Sequence, residues 1–168
     1  MNLFLDAEGW SVENEDVLLS WLEKEAVREK LKMDVDLVLV TDEVISRLNE
    51  DYLDHEGATD VIAFNLKDTI DDDFVLPDED MPEGFDFGVP SGEIYVSLET
   101  AMKQSVKYKV SLTNEVTRLA LHGLLHLAGW SDKTEAERKK MSTREDEGLK
   151  RASEKTGSFN WVIKDPAN

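Results

Sequence analysis

The chain has 168 residues, 40% apolar and 33% charged, with no cysteine; this suits one domain with a real core and excludes disulfides, thiolate metal sites and cysteine nucleophiles. Lys+Arg number 19 against 37 Asp+Glu, a formal net charge of −18, so attachment to nucleic acid through a generally basic surface is not expected. No apolar run approaches the ~20 residues of a membrane helix, and Met1–Trp10 lacks the basic stretch and apolar core of a signal peptide, so a cytoplasmic address is expected.

Asn2–Asp6 alternates as a short edge strand would. From about Glu13 to Lys32, Val17, Leu18, Trp21, Leu22 and Leu31 recur at helical spacing, with acids in the first turn and bases in the last. Asp34–Thr41 is rich in β-branched residues and reads as a strand. Asp42 can cap the helix that follows to about Asp51, and His55–Thr59 is a polar connection. Asp60–Asn65 reads as a buried strand. Residues 67–91 hold nine acids, one lysine and three of the four prolines, the composition of a long acidic loop. Gly92–Ser97 is a further strand, and Leu98 to about Lys109 a helix with Lys103 and Lys107 one turn apart.

The next helix starts near Thr113 and ends at Gly129, a residue suited to a left-handed cap. Leu119, Ala120, Leu121, Leu124, Leu125 and Leu127 cover nearly its whole circumference, so it belongs in the core. A highly charged helix spans about Thr134–Lys155, and the tail, residues 157–168, shows little pattern beyond Phe159 and Trp161. No repeat and no linker divides residues 1–168, which are expected to form a single domain. The order of elements predicts an α+β fold, a small mixed sheet of about four strands covered by helices.

The chain has three histidines, His55, His122 and His126. The last two lie four residues apart on the buried helix, so both imidazoles leave one face and can meet one metal ion. If Gly129 stops the helix, the chain can reverse and bring Asp132 back towards them. Two histidines and a carboxylate leave coordination positions open, the pattern of a catalytic metal. Zinc fits this set first, and iron(II), manganese and nickel also tolerate it. Asp132 has a competing role as a cap for the final helix. Zinc peptidases with similar histidine spacing put a glutamate after the first histidine as general base; here that position is Gly123, which cannot move a proton.

The segment HGLLHLAGWSDK (122–133) resembles the signature of the YbeY family, bacterial single-strand-specific endoribonucleases of ribosomal RNA maturation. LNEDY (48–52), TDVIAF (59–64) and GEIYVS (92–97) resemble further family segments in the same order, so the likeness spans about residues 48–133. The resemblance implies a small mixed sheet covered by helices, a metal-dependent endoribonuclease that processes the 3′ end of 16S rRNA, and partners in ribosomal RNA, the small ribosomal subunit and ribosome-associated proteins. It implies His122 and His126 as metal ligands, with Asp132 where the family usually has a third histidine. It also places Leu53 where the family commonly carries an arginine, and His55 two residues on can serve as a cation or acid/base group.

Arg118 is, with His55, a candidate catalytic residue: it lies four residues before His122 and can pair with phosphate, or tie its helix to Glu115 or Asp60. Lys103 and Lys107 are further phosphate candidates. The competing functions are a zinc peptidase, which Gly123 opposes, and a non-catalytic ribosome assembly factor stabilised by its metal, which Leu53 and the acidic balance favour.

Overall fold

The computed structural model describes residues 1–53, 57, 59–66, 91–153 and 158–167. Four strands form a mixed sheet: β1 (Asn2–Asp6), β3 (Asp34–Val40), β5 (Ser91–Ser97) and β4 (Val61–Asn65), in that spatial order. β1, β3 and β5 run parallel, and β4 closes the edge antiparallel to β5. Short strands β2 (Ser11–Glu13) and β6 (Val162–Lys164) pair as a separate antiparallel ribbon.

Alternation along the strands divides the core. Val35, Leu37 and Leu39 of β3 and Ile94 and Val96 of β5 point to one face and are fully buried there. Against them pack α1 (Glu15–Arg28), through Leu18, Trp21 and Leu22, and α4 (Leu112–Leu127), through Val116, Leu119, Ala120, Leu124 and Leu125. Burial of each such Leu or Val is worth about 1.5–3 kcal/mol. The opposite face carries a smaller cluster, where Val40 and Ile62 meet Ile45 of α2 (Asp42–Leu53) with Leu48, Phe64 and Tyr95 around them. Helix α3 (Leu98–Tyr108) follows β5 directly, and α5 (Glu135–Ser153) lies on α4.

Close approach of the helices depends on two glycines. A Cβ on Gly123 would stand 2.5 Å from Ile94 Cγ2, so α4 sits on the sheet with no room for a side chain there. A Cβ on Gly148 would stand 2.3 Å from Leu121 Cδ2, so α5 meets α4 equally closely. Buried Glu25 of α1 then takes both Arg151 Nε and Nη2, at 2.9 and 2.6 Å, fastening α1 to α5.

The fold is the expected α+β arrangement with a four-stranded mixed sheet. The tail differs from its expectation of little pattern. Trp161 is buried against Trp21 and donates its indole N–H to Thr117 Oγ1 at 3.0 Å, while Ile163 N donates to Thr113 Oγ1 at 3.0 Å. Three residues of strand are too few to show an alternation, so β6 is recognisable only from what it touches. Ser91 opens β5; residues 67–90, expected as an acidic loop, lie outside the described residues.

A candidate metal centre on the buried helix

Helix α4 is capped by Ser111, whose hydroxyl accepts from Asn114 N at 3.1 Å. It ends in a Schellman turn: Gly129 N donates to His126 O at 2.9 Å and Trp130 N to Leu125 O at 3.0 Å. Gly129 takes φ +91°, a conformation that a residue with a Cβ resists. The turn reverses the chain and returns Asp132 to the helix. Asp132 Oδ2 lies 3.8 Å from His126 Nε2 and 4.0 Å from His122 Nε2, and the two Nε2 atoms are 3.0 Å apart.

These donor atoms form a compact triangle, all within 4.8 Å of one another. A point roughly 2 Å from each lies between them, which matches zinc–nitrogen and zinc–oxygen bonds of ~2.0–2.2 Å. The opposite ring nitrogens give a second indication. His122 Nδ1 lies 2.7 Å from Glu145 Oε1, and His126 Nδ1 lies 3.1 Å from the Trp130 carbonyl. A carboxylate and a carbonyl at these positions favour the hydrogen on each Nδ1, the tautomer that turns each Nε2 lone pair inward. Two lone pairs facing one another across 3.0 Å call for a cation between them. The residues present therefore fit a divalent ion.

The competing role of Asp132 as a helix cap is taken by another residue. Thr134 Oγ1 accepts from Glu137 N at 3.2 Å, and Glu137 Oε2 accepts from Thr134 N at 2.8 Å, a reciprocal capping box. Asp132 contributes its backbone carbonyl to Arg138, which leaves its carboxylate aimed at the histidines.

Arg118 is held on its own helix by Glu115, with Nη2–Oε1 at 2.6 Å and Nε–Oε2 at 3.2 Å, and it reaches Glu145 Oε2 through Nη1 at 3.2 Å. Burial works against its charge, but the Glu115 and Glu145 carboxylates outweigh that and raise its pKa above the ordinary arginine value. Of the two roles expected for Arg118, the tie to Glu115 is the one its side chain adopts here. Lys103 Nζ donates to Asp42 Oδ2 at 2.7 Å, and Asp42 Oδ1 accepts from Ser97 Oγ and Thr100 Oγ1 at 2.5 and 2.6 Å. Lys107 Nζ sits 5.4 Å from the centroid of the Tyr108 ring. His55 lies outside the described residues.

Sequence reasoning missed Glu145 and Trp130. Glu145 is one of many acids in a charged helix, yet it stands on the row Met141, Glu145, Gly148, the three buried residues of α5. A carboxylate on a buried row is the signal that marks it. Trp130 is a motif residue with no local signal for its contact: its indole N–H donates to Glu29 Oε2 at 3.0 Å, and Glu29 Oε1 accepts from Arg144 at 2.6 Å.

A family profile described as Endoribonuclease YbeY matches residues 5–153. The chain belongs to the YbeY family. Relatives named Endoribonuclease YbeY include one from Thermoanaerobacter sp. (strain X514), 36% identical over 82% of this chain and 84% of its own. One from Prochlorococcus marinus subsp. pastoris is 32% identical over 77% of this chain and 69% of its own. Another, from Flavobacterium johnsoniae, is 30% identical over 83% and 88%. The solution structure of a Thermotoga maritima protein shares the fold, with TM-score 0.54 and 21% identity over 95% of this chain and 97% of that one. YbeY membership bears out the family resemblance and places the chain among RNA hydrolases rather than peptidases. Among the described residues, no helix is long and apolar enough to cross a membrane.

Proposed function

We propose that this protein is a metal-dependent, single-strand-specific endoribonuclease of ribosomal RNA maturation, acting at the 3′ end of 16S rRNA on the small ribosomal subunit in the cytoplasm. The observation that carries the reading is the convergence of His122 Nε2, His126 Nε2 and Asp132 Oδ2 in a chain of the YbeY family. These three residues would hold the ion, zinc first among the candidates. A bound divalent ion would supply Lewis-acid polarisation of a phosphate oxygen and a route to a nucleophile at neutral pH.

The chain's own residues do the rest. Glu145 and the Trp130 carbonyl hold the imidazoles, so that both Nε2 donors are presented without rearrangement. His122, His126 and Asp132 each keep part of their surface in solvent, which leaves the centre open to an RNA strand. Lys103 and Lys107 are proposed phosphate contacts, Lys103 by exchanging Asp42 for RNA. Arg118, engaged by two carboxylates, supports the site through Glu145.

The test offers a single-stranded 16S rRNA 3′-end fragment, the same sequence as a duplex, and casein, at low salt and with or without chelator. Low salt matters because phosphate contacts weaken steeply as salt rises. Chelator-sensitive cleavage of the single strand alone, abolished in His122→Ala/His126→Ala, is the expected result. Cleavage of neither RNA by zinc-loaded protein favours the assembly-factor reading, and proteolysis without RNA cleavage favours the peptidase.

A further inference from the structure

We propose that Glu145 is a positioning residue of the metal centre, fixing the tautomer of His122 so that Nε2 is the donor. The inference rests on reading His122, His126 and Asp132 as that centre. Glu145 is only 5% exposed, and its two oxygens are divided between two partners. Oε1 faces His122 Nδ1 at 2.7 Å, and Oε2 faces Arg118 Nη1 at 3.2 Å. Arg118 is itself fixed by a two-point pairing with Glu115, which is 1% exposed. The chain Glu115–Arg118–Glu145–His122 thus runs from a buried anchor to a metal-facing ring with no free rotor in it.

A plain salt bridge would need only the Oε2 contact. The shorter contact is the one to the imidazole, and it forms one turn from Gly148, where α5 approaches α4 closely. A carboxylate that accepts from Nδ1–H fixes the ring's orientation and makes Nε2 a better donor; loss of such a partner typically costs 10–100-fold in metal affinity. The two histidines are supported unequally: His126 leans on a backbone carbonyl that no substitution removes, and His122 on one side chain.

Glutamine at position 145 makes a sharp test, because it keeps the volume but has one acceptor oxygen where two are needed. Arg118 can only donate, so it claims the amide oxygen. The amide NH2 then faces His122 Nδ1 and donates to it, which moves the ring hydrogen to Nε2 and blocks the ligand position.

The experiment uses the full chain. Long-range proton–nitrogen NMR of the metal-free protein reports the His122 tautomer, and competition with a chromophoric chelator gives the Zn2+ affinity. The wild type should show Nδ1–H. Glu145→Gln should shift His122 towards Nε2–H and weaken zinc by about 10–100-fold. Glu145→Asp, with two acceptors on a shorter arm, should recover part of both and supplies the same comparison if the Gln variant does not fold. An unchanged tautomer with zinc affinity within twofold of wild type overturns the role of Glu145. Wild type that binds no zinc, iron(II), manganese or nickel overturns the metal reading itself.

Discussion

The Trp130 indole donates to Glu29 Oε2 at 3.0 Å, and through that bond the turn that carries Asp132 is tied to helix α1. The same residue's carbonyl receives His126 Nδ1, so one residue fixes both the returning loop and a ring of the candidate metal centre. Trp130→Phe keeps the carbonyl and most of the ring but removes the donor. Glu29 keeps Arg144, so the expected loss is that of one hydrogen bond to a charged group, about 1.5–3 kcal/mol. Urea denaturation of the metal-free chain measures it. Zinc affinity should fall severalfold, because the loop that delivers Asp132 gains freedom.

Asp132 and Thr134 are two residues apart and should answer to different measurements. Asp132→Asn removes an anionic oxygen from the candidate metal triangle while leaving the cap of α5 in place, so zinc affinity should drop at least tenfold with little change in metal-free stability. Thr134→Ala removes the capping hydroxyl and should cost about 1 kcal/mol of stability with zinc affinity nearly unchanged. A titration and a denaturation curve on each variant complete the comparison. The reverse pattern would transfer the ligand role away from Asp132.

Gly148 should tolerate no side chain without cost. A methyl group there meets Leu121 Cδ2, and Leu121 is buried in the core with little space to swing into. Gly148→Ala is expected to destabilise by about 1–3 kcal/mol through overpacking, even though alanine is the better helix former. The displacement of α5 should also lengthen the Glu145–His122 contact, so weaker zinc binding should accompany the lower melting temperature.

Asp42 gives stability a definite pH dependence. Burial alone pushes its carboxyl up, but hydrogen bonds from Lys103, Ser97 and Thr100 and the Lys103 charge outweigh this and hold it below its ordinary value of 3.8. A folded-state pKa that lies lower means the carboxylate binds its proton less readily in the folded chain than in the unfolded one. Its contribution is therefore complete above the ordinary carboxylate range and is lost as pH falls through the lower folded value. The stability difference between wild type and Asp42→Asn should be largest near neutrality and shrink steadily below about pH 4, as the carboxylate takes up its proton. A difference that is flat with pH would remove Asp42 as the titrating group.

What the sequence reveals of this site follows the range of the interactions involved. His122, His126 and Gly129 are legible because helical periodicity and a glycine stop are local features, and the Schellman turn is their direct outcome. Asp132 is legible because three residues suffice for the chain to return. Glu145 lies 23 residues from His122 in the chain, and the contact depends on the closeness of two helices, which no local pattern states. Glu29 lies 101 residues from Trp130 and is hidden for the same reason. The parallel pairing of β1 with β3 follows from the crossover through α1, whereas β4 turns antiparallel after α2, and the β2–β6 ribbon joins segments about 150 residues apart through three residues each.

Gly123 stands where a zinc peptidase carries its catalytic glutamate, and Ile94 fills the space any side chain there would need. A glutamate could be accommodated only by lifting α4 off β5, and that would carry His122 and His126 away with it. The seating of one helix thus limits the evolutionary neighbourhood of this enzyme: the mutation that would supply a peptidase's base is the same one that dismantles the site it would serve.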